Sequence, residues 1–403
     1  MDCSYKYKLY RSISEVDADD WNKICQNSGE DLFMDLRFIS SVELTMSQTA
    51  GFWHVIFYDN ENVPVACTSL CRFNVDPFIL TGGYINKAGK FFRSMFPSFL
   101  VFNILFCGLP VSAGQSHLRL TPQADQDRVM KMLDQILREL AGSERSWCIV
   151  FKEFDPESCG RMDSLIKLGY LKGKSLPMHN FPPRFSGFAE YYSSLRPRYR
   201  KSIRRSMRKF KSSGLKIVRV TDTDQIQQIY DREVHKLYEA VVSHSEHKLE
   251  ILPLEFFHEL ARRFPGQISC TFIYQGDRVV AFNWALYSQA SYNFLFGGLN
   301  YELNHSADIY FNRMYHALDN ALQHGSPVIQ LGQTADKFKA GLGCFQASRY
   351  VYIKGASKLS HYFLRLFFNM FFPSQKGQVP EKDPFKQETL PSLTSIPDKL
   401  QNQ

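Results

Sequence analysis

No stretch of about 20 consecutive apolar residues occurs in this chain, so no spanning helix is evident from the sequence. The most apolar stretch, 91–109, is interrupted by Arg93, Pro97 and Asn103. It reads as a helix leading into a buried strand. The opening MDCSYKYKLYRS lacks the apolar core of a secretory signal. Cysteine supplies no framework either. The nine residues, at 3, 25, 67, 71, 107, 148, 159, 270 and 344, are odd in number, and the one close pair, Cys67 and Cys71, has no second pair to complete a zinc site. No metal is expected. Several, such as Cys148, sit in apolar runs, which predicts buried free thiols in a reducing, cytoplasmic compartment. G-x-S-x-G is absent and no cysteine has a convincing histidine partner, so nothing points to nucleophilic catalysis. Acidic residues are missing altogether from Tyr191 to Thr221.

What is present is ordinary for a globular protein. The 403 residues allow two or three domains with their own cores. Aromatic content of 14%, with 34 Phe and 20 Tyr, predicts aromatic-rich cores or grooves. A formal charge of +8 favours anionic partners such as nucleotides, CoA, tRNA or acidic lipid headgroups, without choosing among them.

The second half has the clearer pattern. Strands are predicted at 215–220, 268–274, 279–287, 292–296 (stopping at Gly297-Gly298), 328–331 and 349–353. Between them fall helices from Asp222 or Asp224 to about Val242, from Pro253 to about Phe264, from Ser306 (as N-cap) to Gln323 with Gly325 as its stop, and from Asp336 to Leu342. The order is β-α-α-β-β-β-α-β-α-β. The first half repeats it more loosely: strands at 7–10, 53–58, 63–73, 101–106, 147–151 and from Tyr170, helices at 17–26, 35–46, 125–140 and 159–168, and an insertion over 76–99. Units over 1–180 and 181–355 follow, then an apolar helix at 356–373. The polar, Pro-rich tail 374–403 lacks core-forming residues and is expected to be disordered.

Two motifs narrow this order. One is LRPRYRKSIRRSMRKF, from Leu195; the other is LGQTADKFKAGLG, 331–343. Together, with DLFMDLRFISSVE ending at Glu43, they resemble the FemAB-like (BioF-like, peptidoglycan-biosynthesis-like) branch of the GNAT superfamily over roughly 5–355. The resemblance implies an α/β fold of two tandem GNAT-like, acyl-CoA N-acyltransferase-type units with mixed central sheets. It also implies N-acyl transfer, with Lys339 steadying the carbonyl oxygen; Lys337 competes for that assignment. GNAT enzymes using acetyl-CoA usually carry R/Q-x-x-G-x-G/A before the helix after strand four. Here GGLNYELNHSAD stands in that place, which puts CoA in doubt. FemAB-like relatives include enzymes that take an aminoacyl group from tRNA.

The residues themselves suggest roles. Tyr199, Ile203, Met207 and Phe210 form an apolar stripe on the basic helix. Arg200, Arg204 and Arg208 line an adjacent face suited to phosphate; a solvated basic linker would look the same. The N-terminus at Ser306 offers N–H groups to a phosphate or thioester carbonyl, and Gly297 and Gly298 would let a ligand approach. His305 and Asp308 are base candidates by position, or caps. Tyr292 points either into the cleft or into the core. The helix at 358–373 either packs on the body or lies in a bilayer interface.

The expected function is acyl or aminoacyl transfer to an amine, without a permanently bound cofactor. Acyl-CoA, an acyl-carrier thioester or aminoacyl-tRNA serves as co-substrate, and the acceptor is a small-molecule or lipid-linked amine. Expected partners are tRNA or acyl carrier protein, in the cytoplasm or peripherally at the inner membrane face. The rival class is a non-catalytic GNAT-like module binding an anionic ligand, tRNA or membrane surface.

Overall fold

The computed structural model describes residues 5–26, 31–75, 102–111, 114–156, 158, 162–245, 250–372 and 383–386. The expected insertion at 76–99, the start of the helix read over 159–168, and most of the tail lie outside them. The chain divides into two compact units, each built from discontinuous segments. Unit 1 comprises 1–176, 246–256 and 348–376; unit 2 comprises 177–245, 257–347 and 377–403.

In unit 1, strands β1 (Lys6–Tyr10), β2 (Ala50–Tyr58), β3 (Pro64–Val75), β4 (Phe102–Cys107), β6 (Cys148–Phe154) and β13 (Phe345–Gly355) form a mixed sheet in that spatial order. The short β5 (Leu118–Leu120) pairs with β3. All neighbours are antiparallel except β4 and β6. That parallel pair is joined through helix α3 (Gln126–Ser143), as a parallel connection requires. Asp125 caps α3, and Val129, Met130, Leu133 and Leu137 pack on Leu105, Ile149 and Phe151. The described part of the unit also includes helices α1 (Ala18–Gln26), α2 (Leu36–Met46) and α4 (Ser164–Lys167). Of the described cysteines all seven are free, and six are buried.

Unit 1 also holds helix α13 (Lys358–Phe371), opened by a Ser357–Ser360 capping box. Its inner side is narrow. Leu364 is buried, and Phe368 and Phe372 lie on Gly173 of β7 (Leu171–Phe181), where a Cβ would come within 3.0 Å of Phe372 and 3.1 Å of Phe368. The outer side leaves Leu359, Tyr362, Phe363, Leu366, Phe367 and Met370 exposed.

In unit 2 the sheet order is β8 (Lys216–Val220), β9 (Ile268–Gln275), β10 (Arg278–Tyr287), β11 (Ser291–Leu299), β12 (Val328–Gln330) and the end of β7. Only β11 and β12 are parallel. The helices are α5 (Phe188–Ser194), α6 (Pro197–Ser212), α7 (Thr223–Ile229), α8 (Arg232–His244), α9 (Leu254–Arg263, at the boundary), α10 (Tyr301–Ala307), α11 (Ile309–His324) and α12 (Asp336–Leu342).

Several expectations change here. The helix expected over 222–242 is two helices, because Asp231 caps a new start by accepting from the Val234 N–H at 2.9 Å. β11 runs through Gly297 and Gly298 instead of stopping there. The helix expected from Ser306 begins at Tyr301, breaks at Asp308 (φ 51°) and resumes as α11. Ser306 is therefore not an N-cap; its hydroxyl donates to the Leu303 carbonyl. On α6 the inward residues are Ile203, Ser206 and Phe210. Met207 is exposed, because Ser206 takes the inward place and its hydroxyl and carbonyl receive the Asn312 side-chain amide.

Candidate active site in the second unit

Strands β11 and β12 pair at Ser291–Val328, Tyr292–Ile329 and Asn293–Gln330, and no further. A bulge in β11 opposite Trp284 and Ala285 leaves Leu295 as the extra residue. Phe294, Leu295 and Phe296 are half-exposed where the partner strand is lost. β12 turns away through Gly332, whose φ of 84° lies in the left-handed region. The Gly332 carbonyl accepts from both the backbone N–H (3.2 Å) and Nδ1 (3.0 Å) of His179 on β7. A Cβ at Gly332 would sit 3.5 Å from Lys339 Nζ and 3.9 Å from the Phe294 carbonyl. The lysine ammonium therefore stands at the point where the two parallel strands part.

Helix α12 aims that lysine. It has seven residues, too few for independent stability, so its contacts set its orientation. Phe338 packs on Tyr310, Phe311 and Tyr315 of α11, and Leu342 is buried. With those faces docked, Lys339 turns inward at 3% exposure while Lys337 is exposed. Of the two competing lysines, the preferred Lys339 is the buried one. Burial pulls the Lys339 ammonium down to about 8, with Arg313 adding to the effect and Cys344 and Asp336 opposing it. No ion pair to Lys339 occurs among the described residues.

His179 was not foreseen. Its ring is buried, with Nε2 3.4 Å from Asp336 Oδ1 and 3.4 Å from the Gln346 side-chain nitrogen. Burial first, and Lys339 second, lower its pKa from the usual histidine value. A neutral imidazole donating from Nδ1 to the Gly332 carbonyl keeps a lone pair on Nε2, the form a general base needs. The sequence signal was no more than a histidine in the strand read from Tyr170, which does not reveal its partner 153 residues away.

The other sequence candidates lie elsewhere in unit 2. His305 and Ser306 are exposed on α10. Asp308 pairs with Lys209 of α6 at 2.7 Å, and Lys209 also donates to the His305 carbonyl. The Tyr310 N–H at the start of α11 donates to Asn304 Oδ1 at 2.9 Å. These groups are committed to the α10–α11 junction. Arg204 and Arg208 are exposed and Arg200 is half-buried; Arg204 Nε donates to the Tyr192 hydroxyl at 3.2 Å. Gly297 and Gly298 serve packing. A Cβ on Gly297 would meet Arg313 at 2.4 Å, and one on Gly298 would meet Phe282 at 2.2 Å. The buried Arg313 donates from Nη1 to the carbonyls of Phe282 (3.1 Å) and Gly298 (2.8 Å). Tyr292 lies in the core.

Unit 1 contains a chain of polar groups with the appearance of a serine triad. His54 joins Ser69 Oγ (3.0 Å) to Glu43 (2.8 Å), and Glu43 also accepts from Ser12 and the Ile13 N–H. Ser69 and His54 are fully buried and sit opposite one another within the β2–β3 pairing. The network ties α2 to the β2–β3 hairpin.

A parallel strand pair joined by a crossover helix in each of two units, with a bulge and a lysine-bearing helix in the second, defines a tandem GNAT-like α/β protein. The chain belongs to the FemAB-like family, whose model, described as peptidoglycan biosynthesis/recognition, matches residues 12–362. No curated protein matches it. The solved structure of FemX is similar over 89% of this chain and 99% of its own, at 11% identity and a TM-score of 0.51, a likeness of fold alone. A tandem GNAT protein from the clavulanic acid biosynthesis pathway covers 88% of this chain and 99% of its own, at 9% identity and TM-score 0.49. L-PGS from Bacillus licheniformis covers 89% and 97%, at 9% and 0.48.

Proposed function

We propose that unit 2 transfers an acyl or aminoacyl group from a thioester or tRNA donor to an amine acceptor. The observation that carries this reading is the buried Lys339 ammonium at the parting of β11 and β12. A carbonyl seated there develops negative charge as the amine attacks, and a fixed, desolvated cation lowers that barrier. His179 Nε2 would take the proton the amine sheds. The amine attacks the bound carbonyl directly, and the C–S or C–O bond to the donor breaks as the tetrahedral intermediate collapses, releasing the thiol or the tRNA hydroxyl with the proton, so no covalent enzyme intermediate is required.

Within the donor class, the reading favours a charged tRNA or carrier-bound thioester over free acyl-CoA. The first turn of α11, the usual phosphate-receiving helix end, is already occupied by Asn304, Asp308 and Lys209. The exposed Arg204, Arg205 and Arg208 give α6 a face for a polyanion. The test is melting temperature with each donor. Millimolar CoA should leave it unchanged, while a saturating aminoacyl-tRNA should raise it by mass action and support transfer to an amine. Changing Arg204 and Arg208 to Gln should weaken tRNA binding and reduce its salt dependence by about one counterion per lost contact. A shift with CoA would reverse the donor choice. Binding without any transfer would leave the non-catalytic module.

We further infer a peripheral contact of α13 with an anionic bilayer, at the cytoplasmic face. Among the described residues no helix is long and apolar enough to cross a membrane. The outer face of α13 instead offers six exposed apolar side chains, flanked by exposed Lys358 and Arg365 and with no acidic residue in the helix. Cosedimentation should show binding to vesicles containing phosphatidylglycerol and weaker binding to pure phosphatidylcholine. Phe363→Glu with Leu366→Glu should lower partitioning by at least about 10-fold, since each inserted side chain contributes roughly 1.5–3 kcal/mol. A stable dimer that loses its contact in the same variant would assign the face to a second copy.

A further inference from the structure

Four residues of the polar tail, Asp383–Lys386, are folded onto unit 2, although the composition of 374–403 argues for disorder. Phe385 forms an antiparallel bridge with Leu195, between α5 and α6. The Arg196 N–H donates to the Pro384 carbonyl at 2.8 Å, and the Lys386 N–H donates to the Ser194 carbonyl at 3.0 Å. Arg196 Nε donates to the Phe385 carbonyl at 2.7 Å. Asp383 closes a local turn by accepting from the Phe385 N–H. The Phe385 ring is 3% exposed. It lies among Phe185 and Tyr191, with the Arg184 guanidinium 4.3 Å above it.

The ring also covers Gly343, the residue that ends α12. Gly343 has φ 101°, and a Cβ there would lie 2.3 Å from Phe385. The turn at Gly343 brings the Cys344 N–H to the Lys339 carbonyl at 3.0 Å. Pressure on Gly343 is therefore transmitted by one hydrogen bond to the lysine's own backbone. The opposite end of α12 starts from Ala335 at φ 66°, with no side-chain cap. A seven-residue helix without a capping side chain depends on whatever packs against its ends.

We propose that Asp383–Lys386 is a recognition segment, docked in cis by strand addition into a groove of unit 2, and that Phe385 is a positioning residue holding the α12 C-terminal turn and, through it, Lys339. Backbone pairing supplies the attachment and the aromatic pocket supplies the selectivity, as in peptide recognition by added strands. The groove fits an Asp-Pro-Phe sequence followed by a basic residue. The proposal rests on the reading of Lys339 as the reactive cation, but its test uses no transfer reaction, so the two fail separately.

The test reads the titration of Lys339 in the full chain, as the pH dependence of its carbamylation by cyanate located by mass spectrometry. The intact protein should show a midpoint near 8. Phe385→Ala should move it toward the ordinary lysine value by about one unit or more as water reaches the ammonium, and Phe385→Leu should restore most of the depression. A labelled peptide of residues 381–388 should bind Phe385→Ala more tightly than the intact chain, where the tethered segment competes. A folded Phe385→Ala with an unchanged Lys339 midpoint would overturn the positioning role. Should that variant not fold, hydrogen exchange on the unmodified chain decides: the Lys386 and Arg196 amides should be protected together with those of α12, and unprotected Lys386 would overturn the docking itself.

Discussion

Replacing Lys339 with methionine should lower the transfer rate by about 10²–10³-fold while making the protein more stable. The rate loss is the size seen when one preorganised donor to a developing oxyanion is removed. The stability gain has a separate origin. Burial depresses the lysine from 10.5 to about 8, which at ~1.4 kcal/mol per unit represents roughly 3 kcal/mol of unfavourable charge burial at neutral pH. Methionine fills a similar volume without the charge. The sign follows from proton linkage. Between pH 8 and 10.5 the unfolded chain binds the proton that the folded chain has released, so the stability of the unmodified protein rises with pH across that window. The Lys339→Met variant should lose that rise. Thermal melts from pH 7 to 10.5, alongside rates at neutral pH, check both limbs. A melting temperature that falls, or a rate that is unchanged, contradicts the role assigned to this lysine.

The second large effect concerns His179. His179→Gln should reduce transfer by about 10²–10⁴-fold, the usual contribution of a positioned general base. More diagnostic is the pH profile. With His179 held below the ordinary histidine value and Lys339 titrating near 8, the intact protein should show a bell. Its acid limb falls below pH 6.5 as the imidazole takes a proton; its alkaline limb falls as the ammonium loses one. Glutamine can still donate to the Gly332 carbonyl but cannot accept a proton, so the variant should keep the alkaline limb and lose the acid one. A purely structural His179 would change the melting temperature and leave the acid limb in place.

The fit between expectation and structure differs element by element. Helix α12 was read with its observed bounds, because Gly332, Asp336 and Gly343 are local punctuation. The stop of α11 at Gly325 was legible for the same reason. The two glycines of β11 misled. Glycine in a strand reads as room for a ligand, yet here the room is filled by Arg313 and Phe282, and Arg313 comes from the following helix. Ser306 had the right chemistry for a cap, but Asn300, six residues earlier, captured the helix start. The basic helix was read correctly as a helix, while its inward face was off by one residue at Met207, because Ser206 has a buried amide partner that periodicity cannot represent.

The sequence by itself determined the type of most elements, some of the turns that end them, such as Gly325 and Gly343, the order that makes two GNAT-like units, and the one-sided charge of α6. Those properties depend on neighbours within a few residues, and local sterics and capping are written in the same stretch of chain. Only the tertiary structure decided which lysine is buried, that His179 meets Gly332, that Lys209 occupies the α10–α11 junction, and that a four-residue island of the tail packs under α12. Each of these is a matter of desolvation and of contact between residues brought together from different elements. Burial is set by what covers a group, and the covering residues leave no mark in the sequence around it.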